Sequence, residues 1–192
     1  MQKPIIFDLE SKYTLKEKGY DKSRLGVSVL GFYDYQTDSY EVLEEADLPK
    51  FFKVVEHCSY LIGYNIVSFD IPVLQSYYAG DLASIPVFDL MTDIKNKTGK
   101  RFGLNDLASA TLGEVKSGNG LSAIFLYREG KLDELKQYCY DDVVLTKKLF
   151  DYGVKHNQIF YPDVYDKTAV SVNWSKYMQD QPKKDINLTL PF

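Results

Sequence analysis

Two acidic residues interrupt the first apolar run of the chain, which reads IIFDLES over residues 5–11. Side chains along a β-strand alternate between its two faces, so Asp8 and Glu10 would project from the same face. Two carboxylates placed in this way could supply half of a site for a hard divalent cation, which prefers oxygen ligands. A strand that shows its acids to water has the same pattern, and the pair alone leaves both interpretations open.

A third acid occurs in GYNIVSFDIPVL, residues 63–74, where Asp70 precedes Pro72 by two residues. This spacing puts Asp70 in or just before the first turn of a predicted helix. Its carboxylate could cap that helix by accepting a backbone N–H, or it could join a metal site. Asn65 lies in the preceding turn, where asparagine is ordinary turn chemistry.

A fourth acid lies inside the longest predicted helix, which runs from about Leu132 to Phe150 and ends at Gly153. Asp142 shares one helical face with Leu135, Tyr138, Leu145 and Leu149, so it should point towards the core. A buried carboxylate is costly unless a hydrogen bond or a positive charge meets it. The hydroxyl of Tyr138, one turn earlier, could be that partner, and a metal ion is the alternative.

The four acids are more informative together than singly. If Asp8, Glu10, Asp70 and Asp142 converged without a cation, they would repel one another and raise one another's pKa values. A pair of divalent ions, Mg²⁺ or Mn²⁺, is the simplest means of neutralising them. Two such ions roughly 3.5–4 Å apart are a known arrangement for in-line attack on a phosphodiester.

The elements that must position these acids are strands first and then helices that alternate with short strands. Residues 4–10, 24–35 and 40–43 predict a three-stranded meander, with short strands in YLIGYN and IPVFDL. Helices are predicted in DLPKFFKVVEHC, in IPVLQSYYAG with a stop at Gly80, and over residues 89–97 and 104–112. The pattern indicates an α/β fold in which helices pack on a mixed sheet.

The composition favours one compact domain. The chain has 192 residues, 45% of them hydrophobic, and a formal net charge of −4, which argues against binding long duplex DNA by charge alone. Two cysteines are too few for a disulfide framework. The first residues lack the apolar segment of a signal peptide, and no apolar run approaches a membrane span. We therefore expect a cytoplasmic protein with no membrane partner.

Three motifs in chain order resemble those of the DEDD 3′→5′ exonucleases, a family with a ribonuclease H-like fold that includes DNA polymerase proofreading domains. FDLES resembles the first motif, GYNIVSFDIPVL the second as found in B-family polymerases, and YCYDDV the third, with the tyrosine typical of one subgroup. FDLMTDI and FGLNDLASATLG also resemble the stretch between the second and third motifs, so the resemblance covers roughly residues 4–153. The order of the motifs is more specific than any one of them.

The resemblance implies a mixed sheet with three antiparallel strands followed by parallel strands, flanked by helices. It also implies a two-metal site in which Asp8, Glu10 and Asp142 hold one ion that activates water. Asp8 would share a second ion near the leaving 3′ oxygen, and Asp70 would act on that ion through water. The products would be nucleoside 5′-monophosphates.

The resemblance assigns the remaining residues to substrate and water. Tyr138 would orient the attacking water, because a phenol with a pKa of about 10 is a weak base at neutral pH. Asn65 and Phe69 would seat the terminal nucleotide, and the backbone of Leu9 would lie close to its base or sugar. The expected substrate is the 3′ end of single-stranded DNA or RNA, with DNA favoured by the likeness to polymerase domains.

Two segments depart from the family pattern: a lysine-rich loop at residues 12–23 and the tail beyond residue 160. We expect an exonuclease domain over residues 1–160 and an extension over 161–192, with a possible edge strand in AVSVNW. The basic stretch KNKTGKR, residues 95–101, could contact the substrate backbone or could be a solvated charge run.

Two other functions are compatible with this fold. One is a catalytically silent module that binds nucleic acid or serves as a scaffold in a larger complex, although such relatives usually lack one of the acids. The other is a structure-selective endonuclease. Metal binding would distinguish the first from an exonuclease, and cleavage of a circular single strand would distinguish the second.

Overall fold

A mixed sheet of five strands forms the centre of the protein. The computed structural model describes residues 2–114, 120–164 and 166–179. The strands are β1 (Ile5–Ser11), β2 (Val27–Asp34), β3 (Ser39–Glu44), β4 (Leu61–Gly63) and β5 (Val87–Asp89), in the order β3-β2-β1-β4-β5. The β1–β2 and β2–β3 pairs are antiparallel, whereas β1–β4 and β4–β5 are parallel. The predicted α/β class and its three-stranded meander are confirmed.

Six helices accompany the sheet in the part of the chain that the structure describes. They are α1 (Leu48–Val55), α2 (Asp70–Leu74), α3 (Leu90–Thr98), α4 (Leu104–Leu112), α5 (Gly120–Arg128) and α6 (Leu132–His156). The helices predicted over 89–97 and 104–112 match α3 and α4 to within one residue. Helix α5, which follows the stretch that resembles the family's connecting segment, was not predicted from the sequence.

Two predicted helix ends are wrong. The helix expected to stop at Gly80 ends at Leu74, because the side chain of Gln75 bonds the backbone of the following turn, donating to Gly80 O and accepting from Leu82 N. The long helix continues through Gly153 and ends at His156, with Asn157, at a φ of 54°, as its left-handed cap. Gly153 instead permits close packing, since a Cβ there would lie 2.2 Å from Trp174 Cε3.

The sheet separates two apolar layers, and β1 contributes to both. Ile5 and Phe7 pack with α1 and α2 on one face, whereas Ile6 packs with α3, α4 and α6 on the other. Because side chains alternate along the strand, Asp8 and Glu10 share the face of Ile6. The strand pattern therefore directs both acids towards α6.

A hairpin outside the main sheet follows α6. Strands β6 (Gln158–Pro162) and β7 (Lys167–Ser171) pair antiparallel in their own two-stranded sheet. The stretch AVSVNW thus begins in β7, which pairs with β6 and not with an edge of the five-stranded sheet. The expected boundary at residue 160 falls inside β6, and the division into residues 1–160 and 161–192 stays a prediction. Residues 180–192 lie outside the described part.

None of the helices within the described ranges is both long enough and apolar enough to cross a bilayer.

Candidate metal centre

Three carboxylates from two elements meet at the centre of the sheet. Asp8, Glu10 and Asp142 each offer one oxygen atom, and these three atoms lie within 4.8 Å of one another. Glu10 and Asp142 are 8% and 7% exposed, and Asp8 is half-buried. The interpretation of β1 as a strand that shows its acids to water is therefore wrong. The helical periodicity that pointed Asp142 inward is confirmed.

A glycine on the neighbouring strand allows α6 to come this close. Gly31 of β2 lies opposite Asp8 in the antiparallel register. A Cβ at Gly31 would lie 3.0 Å from Val143 Cγ2 and 3.1 Å from Cys139 Sγ, both on α6. The Cys139 thiol donates a weak hydrogen bond to Asp8 O at 3.6 Å. Gly31 was not among the residues predicted for the site, although a glycine inside a strand is a known sign that another backbone approaches closely.

The thiol of Cys139 shares the environment of the acids. Cys139 is fully buried, and this burial raises its pKa well above the ordinary value of 9.0. The negative charges of Asp8, Glu10 and Asp142 raise that pKa further. The side chain therefore stays a neutral thiol beside the cluster and acts as a small packing group.

Asp70 is fastened to β1 by a hydrogen bond that joins distant parts of the chain. The backbone N–H of Leu9 donates to Asp70 Oδ1 at 3.0 Å. Phe69 occupies the N-cap position of α2, and Asp70 is the first residue of the helix. The helix-cap interpretation of Asp70 is therefore wrong. Its carboxylate lies beside β1 at the residue between Asp8 and Glu10.

The environment of Asp70 disfavours its charged form. Asp70 is 3% exposed, and burial raises its pKa to about 7. The charges of Asp89 and Asp142 raise this pKa further, whereas the hydrogen bond from Leu9 lowers it. Asp70 is not among the three residues whose oxygen atoms meet within 4.8 Å, but it is close enough to Asp142 to be affected by its charge.

Tyr138 lies one turn before Asp142 on α6 and is 9% exposed. Its ring packs with Val29 of β2, Ala123 of α5 and Cys139. The side chain of Leu9 packs in the apolar layer of α1 and α2, on the face of the sheet opposite Tyr138, and its backbone N–H bonds Asp70. The roles of Tyr138 and Leu9 in orienting water and substrate stay predictions.

The loop between β4 and α2 carries Asn65 and Phe69. Asn65 has a φ of +65°, its N–H donates to Asp89 Oδ1 at 3.0 Å, and its Oδ1 accepts from Ser68 Oγ at 2.6 Å. Asn65 therefore has the turn role that its residue type allows, and its role towards substrate stays a prediction. Phe69 is half-buried against the apolar layer beneath α1 and α2.

The basic stretch at residues 95–101 reaches this loop through its last residue. Lys95 and Lys97 lie in the last turn of α3, which Gly99 ends in the left-handed conformation. The exposed Arg101 places Nη2 3.4 Å from Asn65 Oδ1 and 3.5 Å from Met91 Sδ. The guanidinium of Arg101 thus lies next to Asn65, which is predicted to bind the nucleotide. Contact between the basic stretch and the substrate stays a prediction.

The donor set fits a hard divalent cation. The cluster of Asp8, Glu10 and Asp142 offers only carboxylate oxygens, which Mg²⁺ and Mn²⁺ prefer, and includes neither of the two histidines. Asp70, the first residue of α2, adds a fourth carboxylate, which bonds the backbone of Leu9 between Asp8 and Glu10. A cation bound there would neutralise the mutual repulsion of these carboxylates.

Comparisons with known proteins agree with this architecture. The family B DNA polymerase from the hyperthermophilic archaeon Pyrobaculum calidifontis has a similar fold, with a TM-score of 0.60 and 18% sequence identity over 80% of this chain. The match spans 25% of the polymerase, so this chain corresponds to about a quarter of that protein. No curated protein matches the sequence. Residues 5–154, which contain all the predicted site residues, match the RNase_H superfamily. The chain belongs to the RNase_H superfamily, as its motifs led us to expect.

Proposed function

We propose that the protein is a metal-dependent 3′→5′ exonuclease of the DEDD family, tyrosine subgroup, that acts on single-stranded nucleic acid. DNA is the favoured substrate over RNA, and nucleoside 5′-monophosphates are the products. The observation that carries the proposal is the meeting of Asp8, Glu10 and Asp142 within 4.8 Å. Membership in the RNase_H superfamily supports a nuclease, and a metal-dependent nuclease would use such a cluster of carboxylates at the scissile phosphate.

Each acid has a place in this proposal. Asp8, Glu10 and Asp142 would hold the cations, with Asp70 completing the set from the start of α2. Two divalent cations, when bound, would supply charge neutralisation at the phosphate and a more acidic water. The hydrogen bond from Leu9 keeps Asp70 directed at β1, which fixes the fourth carboxylate before substrate arrives.

The other predicted residues would act on water and nucleotide. Tyr138 is held in packed surroundings one turn from Asp142, which suits a group that positions a water without taking its proton. Asn65 and Phe69 would seat the terminal nucleotide from the β4–α2 loop. The peptide of Leu9 would lie against its base or sugar.

The experiment is a time course on 5′-labelled single-stranded DNA with Mg²⁺ or Mn²⁺. The proposal expects a ladder that shortens from the 3′ end, its loss when the 3′ end is blocked, and release of nucleoside 5′-monophosphates. A circular single strand should stay intact, since it has no end. The variant Asp8→Ala should fold and be inactive. Absence of the ladder on both DNA and RNA, or cleavage of the circle, would reject the proposal.

A further inference from the structure

A carboxylate that the motifs do not include holds the loop between β4 and α2. Asp89 is the last residue of β5 and is 6% exposed. Its Oδ1 accepts from Asn65 N at 3.0 Å, and its Oδ2 accepts from Val67 N at 3.0 Å. The same Oδ1 accepts from Thr92 N at 3.1 Å in the first turn of α3. One buried side chain thus joins the loop to the helix that follows β5.

The loop needs such support because of its backbone. Asn65 has a φ of +65°, a region that L-residues adopt at a cost unless the surroundings hold them there. Val67 is exposed, whereas Ile66, between the two amides, is fully buried in the apolar layer beneath α1 and α2. Hydrogen bonds to an ionised carboxylate are stronger than those to neutral acceptors. Asp89 therefore holds the two amides on either side of the packed Ile66.

The loop leads directly to the candidate metal centre. The N–H of Ile71 donates to Ile66 O at 3.0 Å, which ties the end of the loop back to its middle. Asp70 lies between these tied residues and reaches Leu9 N. A shift of the loop would therefore move Asn65 and Phe69 and would turn Asp70 away from β1.

We propose that Asp89 is a positioning residue for the nuclease site, acting through the backbone of Asn65 and Val67 on the predicted nucleotide seat and on Asp70. The inference rests on the proposed function, because it assigns a supporting residue to that same site. The competing explanation is that Asp89 only caps α3 through Thr92, which would make it a structural residue.

Two substitutions separate these explanations. In Asp89→Ser, the hydroxyl can still cap α3, since serine is among the best N-caps, but it cannot also reach the two loop amides. Asp89→Asn keeps the shape and two of the three bonds, and it turns an NH₂ group towards one amide. Asp34→Asn is the matched control: Asp34 is 8% exposed and accepts from Gln36 N at 2.7 Å. Asp34 is paired with Ile5, the first residue of β1, whereas Asp8 and Glu10 lie in its later part.

The first measurement is amide hydrogen exchange by NMR in the metal-free protein. In Asp89→Ser, the amides of Asn65 and Val67 should exchange roughly tenfold faster or more, the change expected when a bond to a charged acceptor is lost. The amide of Thr92 should stay protected. Unchanged exchange at both loop amides would overturn the inference whether or not the protein is a nuclease.

The second measurement is the steady-state kinetics of 3′ nucleotide release, with wild type, both Asp89 variants and the control at a temperature where all are folded. Losses of supporting residues typically cost about 10- to 100-fold in activity or metal affinity, which is the fall in kcat/KM expected for Asp89→Ser. Asp89→Asn should fall between Asp89→Ser and wild type, and Asp34→Asn should match wild type.

The outcomes distinguish the two proposals. Wild-type activity with equal kcat/KM in Asp89→Ser and Asp34→Asn would overturn the positioning role and leave the proposed function standing. An inactive wild-type protein would overturn both. If Asp89→Ser does not fold, Asp89→Asn carries the test through faster exchange at Val67 and a lower kcat/KM.

Discussion

The backbone N–H of Leu9 donates to Asp70 Oδ1 across 3.0 Å, which joins residues 61 apart in the sequence. The bond fastens the first residue of α2 to the middle of the strand that carries Asp8 and Glu10. Because the donor is a backbone group, the contact depends on the path of β1 and tolerates changes of the Leu9 side chain. It connects the second motif directly to the first.

Asp70→Asn should stabilise the metal-free protein and impair the nuclease. Asparagine can still accept from Leu9 N, but it removes a negative charge that burial disfavours. We expect the melting temperature to rise by about 2–4 °C, which corresponds to about 1 kcal/mol for a domain of this size. Calorimetry without metal and with excess Mn²⁺ provides the measurement. A lower melting temperature without metal would contradict the prediction.

Gly31→Ala should weaken metal binding by displacing α6. The new methyl group would lie 3.0 Å from Val143 Cγ2 and 3.1 Å from Cys139 Sγ, so α6 or its side chains must shift. Overpacking of this kind typically costs about 1–3 kcal/mol of stability. Titration calorimetry with Mn²⁺ should show a lower affinity than in wild type.

Val143→Ala supplies the control for this shift, since it removes the nearest methyl group. In that background, Gly31→Ala should cost less stability than it does in wild type, because the two substitutions share one space. Equal costs in both backgrounds would mean that α6 does not depend on the glycine.

Arg101→Gln should lower affinity for single-stranded DNA and flatten its salt dependence. The exposed guanidinium lies 3.4 Å from Asn65 Oδ1, at the edge of the loop predicted to seat the nucleotide. Loss of one phosphate contact should reduce the slope of log K against log salt by about 0.7 for a single strand. Fluorescence anisotropy in Ca²⁺ at several salt concentrations provides the measurement.

Lys53→Gln is the matched charge control, because Lys53 is exposed on α1 at the opposite face of the sheet. For Lys53→Gln, the slope of log K against log salt should equal that of wild type. Equal slopes for Arg101→Gln and Lys53→Gln would show that the basic stretch at 95–101 is only a solvated charge run.

The ion pair between Glu17 of the lysine-rich loop and Arg128 of α5, with Oε1 and Nη2 2.6 Å apart, should weaken in acid. Hydrogen bonds from Thr14 and the nearby Arg128 lower the pKa of Glu17 from 4.5 to about 2. A lowered pKa in the folded state means that the contact is complete above pH 4.5 and is lost as the pH falls towards 2. NMR titration of the Glu17 carboxyl carbon measures this directly, and Thr14→Val should raise the midpoint.

The periodic parts of the site could be predicted from the sequence. The alternation of β1 put Asp8 and Glu10 on one face, and the helical spacing of α6 turned Asp142 inward. Each signal is local, because it depends on residues within one element. The resemblance supplied the order of the motifs, and the RNase_H superfamily match agrees with it.

The parts that join elements could not be predicted in this way. Asp89 lies where the strand predicted in IPVFDL meets the helix predicted over 89–97, and only the folded chain shows that it holds Asn65 and Val67. Gly31 is an ordinary strand residue until α6 packs above it. The early end of α2 depends on the amide of Gln75, which competes with the helix for backbone partners.

Trp174 lies beyond the residues that match the superfamily but packs into the same core. The indole is 1% exposed, stacks 6.0 Å from Phe150, and donates from Nε1 to Asp93 Oδ2 at 2.8 Å. A chain trimmed to the matched residues 5–154 would lack Trp174. The surface over Gly153 and the rings of Phe88 and Phe150 would then be exposed to solvent. Such a fragment would be prone to self-association, so expression studies should retain the chain at least through this tryptophan.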